Sequence, residues 1–343
     1  MCGTRLCRSS GRRSAAAGAA GLLTALLCVR AQCQITPEQA SQIRDAVGNR
    51  IEALTILGGD YGIAGANFRS TGKLAFGSSA FGETADSTVE VTKLGGAGDI
   101  GDPQPLGSLP VGWQPRVQGN MGWLKGTQHL HTGLLDGDVT ELKTYGIEFG
   151  GGARFWVNDR LSFAPTLMGL YGHTSETYTA NSAFMLENLE KATEMGLVDW
   201  TVETWTLITG VDAQYLINLH RTIITLSSTP VYYRTQSFQS SSYRLNVNGD
   251  SSTWANMADV DIPLGVEFFG HELRMGGYYR WTGLYGGLRS GLHESNLNEI
   301  HGRVVLDFLN QLWKVQWIGI GGSYLWGPNI TGWTVGADVV FRF

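Results

Sequence analysis

Hydrophobic and polar residues alternate with period two over most of the chain, and this pattern predicts β-strands. The clearest strand is the last, where every second residue is apolar or small: Trp333, Val335, Ala337, Val339, Phe341 and Phe343. The same alternation recurs in segments 258–269, 271–283 and 297–309. Because successive side chains of a strand point to opposite faces, each of these strands has one apolar face and one face of charged residues or glycine.

Twelve strands are predicted in this way. They cover residues 72–81, 87–95, 116–125, 144–157, 160–172, 203–217, 221–234, 258–269, 271–283, 297–309, 313–326 and 331–343. Strands of about 10 residues or more are long enough to cross a bilayer at a tilt, whereas most strands of soluble sandwiches have about 5–6 residues. The lengths therefore predict an all-β fold, a transmembrane antiparallel β-barrel of about twelve strands.

The connections between the predicted strands alternate in length. Short turns are predicted at 158–159, 218–220, 270 and 310–312, and long loops at 126–143, 173–202, 235–257 and 284–296. This alternation is typical of outer-membrane barrels with short periplasmic turns, and it predicts that the N- and C-termini lie in the periplasm. Segment 96–115 is a long connection where a short turn is expected. Either it is an unusual periplasmic loop, or the first two strands are misplaced.

An amphipathic helix is predicted ahead of the strands. Thr36 and Pro37 are typical of a helix start, and apolar residues then follow at spacings of three and four until Gly58-Gly59. At 1.5 Å per residue the helix is about 31 Å long, close to the height of a bilayer core. A second, shorter helix is predicted over Ala183–Met195 within a long loop.

The N-terminal sequence predicts an export signal. Four arginines precede an apolar run from Ala15 to Val29, which is too short to span a bilayer core of about 30 Å, and Ala31 suits a cleavage site. The predicted organisation is a signal peptide over 1–31, a plug-like helix over 32–60 and a barrel over 61–343.

Composition supports an exported β-protein. Charged residues make up 16% of the 343, against about 25% in most soluble proteins, and there are 47 glycines. Removal of 1–31 takes away five arginines and leaves 20 basic against 30 acidic residues, a net charge near −10. That charge argues against nucleic-acid binding. Of the four cysteines only Cys33 remains, which excludes an intramolecular disulfide.

The large apolar faces of the predicted strands would also be unusual in a water-soluble sandwich.

The helix segment 50–62, the twelve strands and the terminal Val-Phe-Arg-Phe together resemble the solitary outer-membrane autotransporter-like β-barrel family over residues 35–343. The resemblance implies a lone barrel with the helix inside or below its lumen, and it implies no catalytic residue or cofactor. Only five residues separate the signal from the helix, so no passenger domain is expected in the chain. The last strand, with Asp338 where a glycine is usual, is similar to the signal read by the barrel-assembly machinery, through Trp333, Val339, Phe341 and Phe343. The expected partners are that machinery and outer-membrane lipid.

The inward-facing polar residues are the candidate functional set. They are Glu148, Arg154, Asp212, Asp259, Asp261, Glu267, Arg274, Arg280, Glu299, His301, Arg303 and Asp307. Adjacent strands supply both charges, so ion pairs across the lumen wall are expected. These residues either satisfy only one another and the helix, or they line a path for a solute.

Enzyme hypotheses have weaker support. His293, Ser295 and Asn296 have the residue types of an outer-membrane phospholipase, but no strand holds them, and no G-x-S-x-G motif occurs. A protease at the barrel rim would use aspartates and histidines: His129, His131, Asp136, Asp138 and His173. Separately, His129 and His131 lie on one side of an extended segment and could chelate a metal. The chain is thus predicted to be no enzyme and to need no metal. The leading hypothesis is a translocator-like pore partly occupied by the helix. The alternatives are a plugged barrel that binds through its external loops, and a hydrolase.

Overall fold

The computed structural model describes residues 37–60, 68–76, 85–130, 136–194, 196, 198–242, 245–312, 315–328 and 330–341. The predicted signal peptide over 1–31 and the predicted helix cap Thr36 lie outside the described residues. None of the described helices is long and apolar enough to cross a membrane.

Antiparallel strands dominate the fold. They are β1 Phe68–Phe76, β2 Ala85–Asp99, β3 Gln104–Pro105, β4 Gly112–Leu130, β5 Val139–Trp156, β6 Leu161–Thr179, β7 Thr201–Leu219, β8 Thr222–Ser240, β9 Asn248–Phe268, β10 His271–Gly286, β11 Asn296–Leu312, β12 Val315–Trp326 and β13 Ile330–Phe341. Each long strand pairs with its neighbours along the chain, and β1 pairs with β13, so that the sheet closes on itself. The two-residue β3 pairs only with the start of β4. The predicted antiparallel barrel of twelve long strands is confirmed.

Among the described residues, three helices accompany the barrel: α1 Pro37–Gly59, α2 Ala183–Glu194 and α3 Gly287–Leu292. The predicted helix that ends at Gly59 is confirmed, and the one predicted over 183–195 is confirmed as far as Glu194. Helix α1 contacts β2, β4, β5, β6 and β9, which lie on different sides of the barrel, and it also packs against α3. It therefore lies inside the barrel.

Side chains of the strands sort between the two faces as predicted. On β5, Ile147 and Phe149 face outward, and Phe149 is 72% exposed, whereas Glu148 between them is 1% exposed. Likewise Ile300 and Val304 of β11 are exposed while Arg303 is buried. The outer wall is thus an apolar surface of the kind that meets lipid.

The short connections and the long loops lie at opposite ends of the barrel. Strand β1 begins and β13 ends at the short-turn end, since Phe68 pairs with Gly95 and Phe341 with Val315. Helix α1 has the opposite placement: Gly48 lies beside Asn246 in the β8–β9 loop, and the helix descends to Asp60 halfway down the wall. The barrel strands therefore begin and end at the short-turn end, whereas Gly48 of α1 lies at the long-loop end. The location of the chain termini in the periplasm stays a prediction.

Several strands are longer than predicted. The connection predicted over 96–115 shortens to residues 100–111, because β2 continues through a glycine-rich stretch to Asp99 and β4 begins at Gly112. Gly95 and Gly96 have no side chains to show an alternating pattern, yet they pair with Asn120 and Gly119. Strand β1 begins at Phe68 rather than at residue 72, and pairing with β4, which is a tertiary feature, extends β2 beyond residue 95. The first two strands were therefore misplaced.

Glycines let the end of α1 approach the wall closely. A Cβ on Gly146 of β5 would lie 2.6 Å from the Cα of Gly59, and one on Gly122 of β4 would collide with the carbonyl of Gly58. Both strand glycines face inward. The backbone of the helix end therefore packs directly on the backbone of β4 and β5.

Gly146→Val should destabilise the folded barrel by about 1–3 kcal/mol, because the new side chain overpacks the contact with Gly59. The midpoint of urea unfolding in detergent micelles measures this loss. Gly302→Val is the matched control, since a Cβ on Gly302 meets nothing within 4 Å. Equal midpoints for the two variants would contradict the close helix-to-wall contact.

Candidate functional site: the barrel interior

The half of the barrel interior nearer the long loops, called the loop half below, is an apolar core built around α1. Five apolar residues of the helix are almost completely buried, and they pack on inward-facing leucines of the wall and of α3. The helix residues are Ile51, Ala53, Leu54, Ile56 and Leu57, and their partners include Leu124, Leu142, Leu170, Leu288 and Leu292. These wall residues were not predicted, although an apolar residue among polar inward positions, as at Leu124 on β4 and Leu142 on β5, is a signal that could indicate contact with a helix.

The C-terminus of α1 ends on hydrogen-bond donors from the wall. Asn120 Nδ2 donates to the carbonyl of Gly59 and Lys93 Nζ to that of Asp60, each at 2.5 Å. Tyr233 Oη donates to the Asp60 carboxylate at 2.9 Å. A cation at this position compensates the negative end of the helix dipole and satisfies carbonyls that have no partner within the helix.

Beside Asp60 lies a layer that contains four residues of the predicted set. Gln118 donates to Glu148 at 2.7 Å. Arg280 donates to Glu299 at 2.5 Å, and Tyr278 donates to the other oxygen of that carboxylate at 2.9 Å. The His301 ring stacks on the Tyr278 ring at 4.7 Å. The structure brings these groups together around the end of the helix.

Closer to the short-turn end, Arg154 joins two carboxylates. Its Nε lies 2.8 Å from Asp99, one of its terminal nitrogens lies 3.2 Å from Asp212, and the other donates to Ser162. Arg116 also contacts Asp99, at 2.9 Å. Asp99 and Arg116 were not predicted, because Asp99 fell in the connection predicted over 96–115 and Arg116 at the first position of a predicted strand.

A second group of ion pairs lies on β9, β10 and β11. Arg303 lies 2.9 Å from Asp259, and Arg274 lies 3.0 Å from Asp261 and 3.8 Å from Asp307. The remaining predicted residue, Glu267, is exposed at the end of β9 and takes no part in these pairs.

Helix α1 also carries a fully buried carboxyl. Ser251 Oγ of β9 donates to Glu52 Oε1 at 2.6 Å. Burial raises the pKa of Glu52 above its usual range, and the hydrogen bond from Ser251 partly opposes the rise. Periodicity alone did not single out Glu52, because a carboxyl on the polar face of a helix is normally solvated.

Asp138, considered above as a rim residue, holds a loop in place. Its carboxylate accepts hydrogen bonds from Tyr178 Oη, the backbone amides of Asn181 and Ser182, and Ser182 Oγ, at 2.6 to 2.8 Å. Ser182 Oγ in turn accepts from the amide of Met185 in the first turn of α2. Asp138 therefore anchors the start of α2 to the barrel rim.

The other residues of the enzyme hypotheses do not converge. His129 is exposed, His131 lies outside the described residues, and His173 contacts Glu203 at 3.7 Å. Asn296 donates to Ser295, while burial lowers the pKa of His293. Within the described ranges, no group of three or more His, Cys, Asp or Glu side chains is arranged to hold a metal.

Of the residues predicted as an assembly signal, Trp333 faces outward on β13 and is exposed. The side chains of Val339 and Phe341, and the whole of Phe343, lie outside what the structure describes.

Comparison with known proteins gives a consistent picture. Residues 106–343 match the family model described as the solitary outer membrane autotransporter beta-barrel domain. Among solved structures, the transport unit of the autotransporter AIDA-I from Escherichia coli has 12% identity and a TM-score of 0.55, covering 86% of this chain and 99% of that one. The β domain of the Bordetella autotransporter BrkA has 14% identity and a TM-score of 0.51, covering 80% of this chain and 97% of that one. No curated protein matches the sequence.

Arg154→Ala should lower the free energy of unfolding by about 3 kcal/mol, because its guanidinium is buried and is the shared partner of two carboxylates that are a quarter exposed or less. Urea unfolding in micelles measures the loss. Arg234→Ala is the control, since its pair with Asp250 is well exposed and should contribute about 0–1 kcal/mol. A loss at Arg154 no larger than at Arg234 would refute the buried network.

Asp138→Ala should release the loop that carries α2, because four hydrogen bonds lose their acceptor. The rate of proteolytic cleavage within 183–200 should rise about tenfold or more, as expected for the loss of charge-assisted bonds. Glu187→Ala, on the exposed face of α2, should leave the rate unchanged. Similar rates for both variants would argue against the anchoring role.

Proposed function

Because this chain belongs to the solitary outer membrane autotransporter beta-barrel domain family, we propose that it forms a translocator-like pore in the bacterial outer membrane and that its own helix closes the lumen. The observation that carries the proposal is the division of the interior. The loop half is filled by α1 and its apolar partners, whereas the other half is lined by ion pairs.

The polar half has the character of an aqueous lumen. The carboxylates of Asp99 and Asp261 are each about a quarter exposed although they face inward. Side chains of both signs around a wet interior are typical of barrels that carry water or solutes. The lumen thus leads from the short-turn end to Asp60 and stops at the end of α1.

The orientation follows from the lengths of the connections. We assign the short-turn end to the periplasm and the long loops to the outside. Residues 1–31 serve as the export signal, the outer wall contacts lipid, and the last strand is presented to the barrel-assembly machinery. On this assignment α1 enters the barrel from the outer side. The family description names a barrel and no reaction, so we assign no catalytic role.

Planar-bilayer recording tests the proposal. The full chain should show little conductance, and a variant without residues 35–58 should show sustained channels, because the helix no longer fills the loop half. A variant that lacks 186–191 of α2 is the control and should stay closed, since these residues lie in an external loop.

A deletion variant that is folded but stays closed would overturn the pore and would favour the surface-binding alternative. Retention of the folded form is checked separately, from the change in gel mobility of the unheated barrel.

A further inference from the structure

The β10–β11 loop folds inward at the mouth of the barrel. Its helix α3 lies against α1, and Leu288 and Leu292 are buried in the same apolar core as the helix. A Cβ on Gly291 would lie 2.7 Å from the Cβ of Ala53 and would collide with the backbone carbonyl of Asn49. A glycine is therefore required at this position for the two helices to touch.

Polar contacts join the same two elements through the wall. Ser251 Oγ of β9 donates to Glu52 on α1 and accepts the backbone amide of Leu288 in α3, at 2.6 and 2.7 Å. One hydroxyl thus connects the carboxyl of the helix with the first turn of α3. The hydroxyl has a single proton, which it donates to Glu52, so that its oxygen is left to accept the amide of Leu288.

The Glu52 carboxyl is enclosed by backbone. Its Oε2 has no hydrogen-bond partner among the described residues, and Gly249 and Gly287 lie so close that a Cβ on either would collide with it. An ionised carboxylate with one unsatisfied oxygen is costly to bury. The pocket therefore accommodates the neutral acid better than the anion.

We propose that α3 is an internal latch that holds α1 in the lumen, and that the carboxyl of Glu52 engages the latch through Ser251. The inference rests on the proposed closed pore, since it concerns what keeps the pore closed. Released from this contact, α1 would lose its apolar neighbours in α3 as well as the polar connection to the wall.

The latch should depend on pH. The pKa of Glu52 is raised from 4.5, chiefly by burial and further by Asp250 of β9, while Ser251 and Arg234 of β8 oppose the rise. The ionisable side chain of α3, Arg289, is exposed, and Arg50 of α1 donates to Gln128 on another part of the wall. A raised pKa means that docking is strongest below the usual pKa and weakens as the pH rises through the raised one.

Accessibility of a cysteine on the helix tests the latch without relying on conductance. In the full chain with its four cysteines replaced by serine, Thr55→Cys places a thiol on the buried face of α1, and Glu187→Cys places one on the exposed face of α2. The measured quantity is the maleimide labelling rate of the thiol on α1 divided by that of the thiol on α2. This ratio cancels the pH dependence that both thiols share. The ratio should increase as the pH rises above 4.5.

Two sets of variants complete the experiment. Gly291→Ala and Ser251→Ala should raise the ratio about tenfold, which corresponds to about 1.4 kcal/mol of docking, while Gly302→Ala should not. Glu52→Gln, a neutral copy of the protonated acid, should lower the ratio and remove its pH dependence.

An unchanged ratio in folded Gly291→Ala and Ser251→Ala would overturn the latch. An unchanged pH dependence in Glu52→Gln would overturn the role of Glu52. If labelling responds as expected but the barrel never conducts, the proposed pore is wrong while the proposed latch is supported.

Discussion

Closure of the sheet, through the pairing of β1 with β13, is the constraint on which the remaining structure depends. In a membrane every backbone group of a spanning segment needs an internal partner, and a closed antiparallel sheet provides one without leaving an edge. Closure also divides all strand side chains between two environments. Outward residues such as Phe149 meet an apolar surrounding, and inward residues such as Glu148 share a limited interior that must be filled or hydrated.

The interior is filled in two different ways. In the loop half, α1 supplies apolar side chains to wall leucines, and glycines at Gly122 and Gly146 let its backbone approach the strands. In the other half, arginines and carboxylates pair across neighbouring strands. Lys93 and Asn120 form the boundary, because they satisfy the carbonyls at the end of the helix. The end of α1 therefore marks the change from apolar packing to a polar lumen.

Much of the fold and part of the candidate site can be predicted from the sequence. Period-two alternation identified the strands, and it also identified polar inward residues such as Arg280, Glu299 and Arg303, because they alternate with apolar residues. Asp99, Lys93 and Glu52 were not found. Their importance comes from contacts with residues 33 to 199 positions away in the chain, or from strand extension over Gly95 and Gly96, and neither leaves a periodic signal.

The sequence by itself determined the class of structure, because the period of a strand and the spacing of a helix are local properties that every residue contributes to. It also determined which residues face lipid. Only the tertiary structure decided where α1 lies, from which end it enters and what it contacts. Those features depend on the shape of the closed interior, on which wall positions lack a Cβ, and on the inward fold of α3, all of which arise after strands distant in sequence have paired.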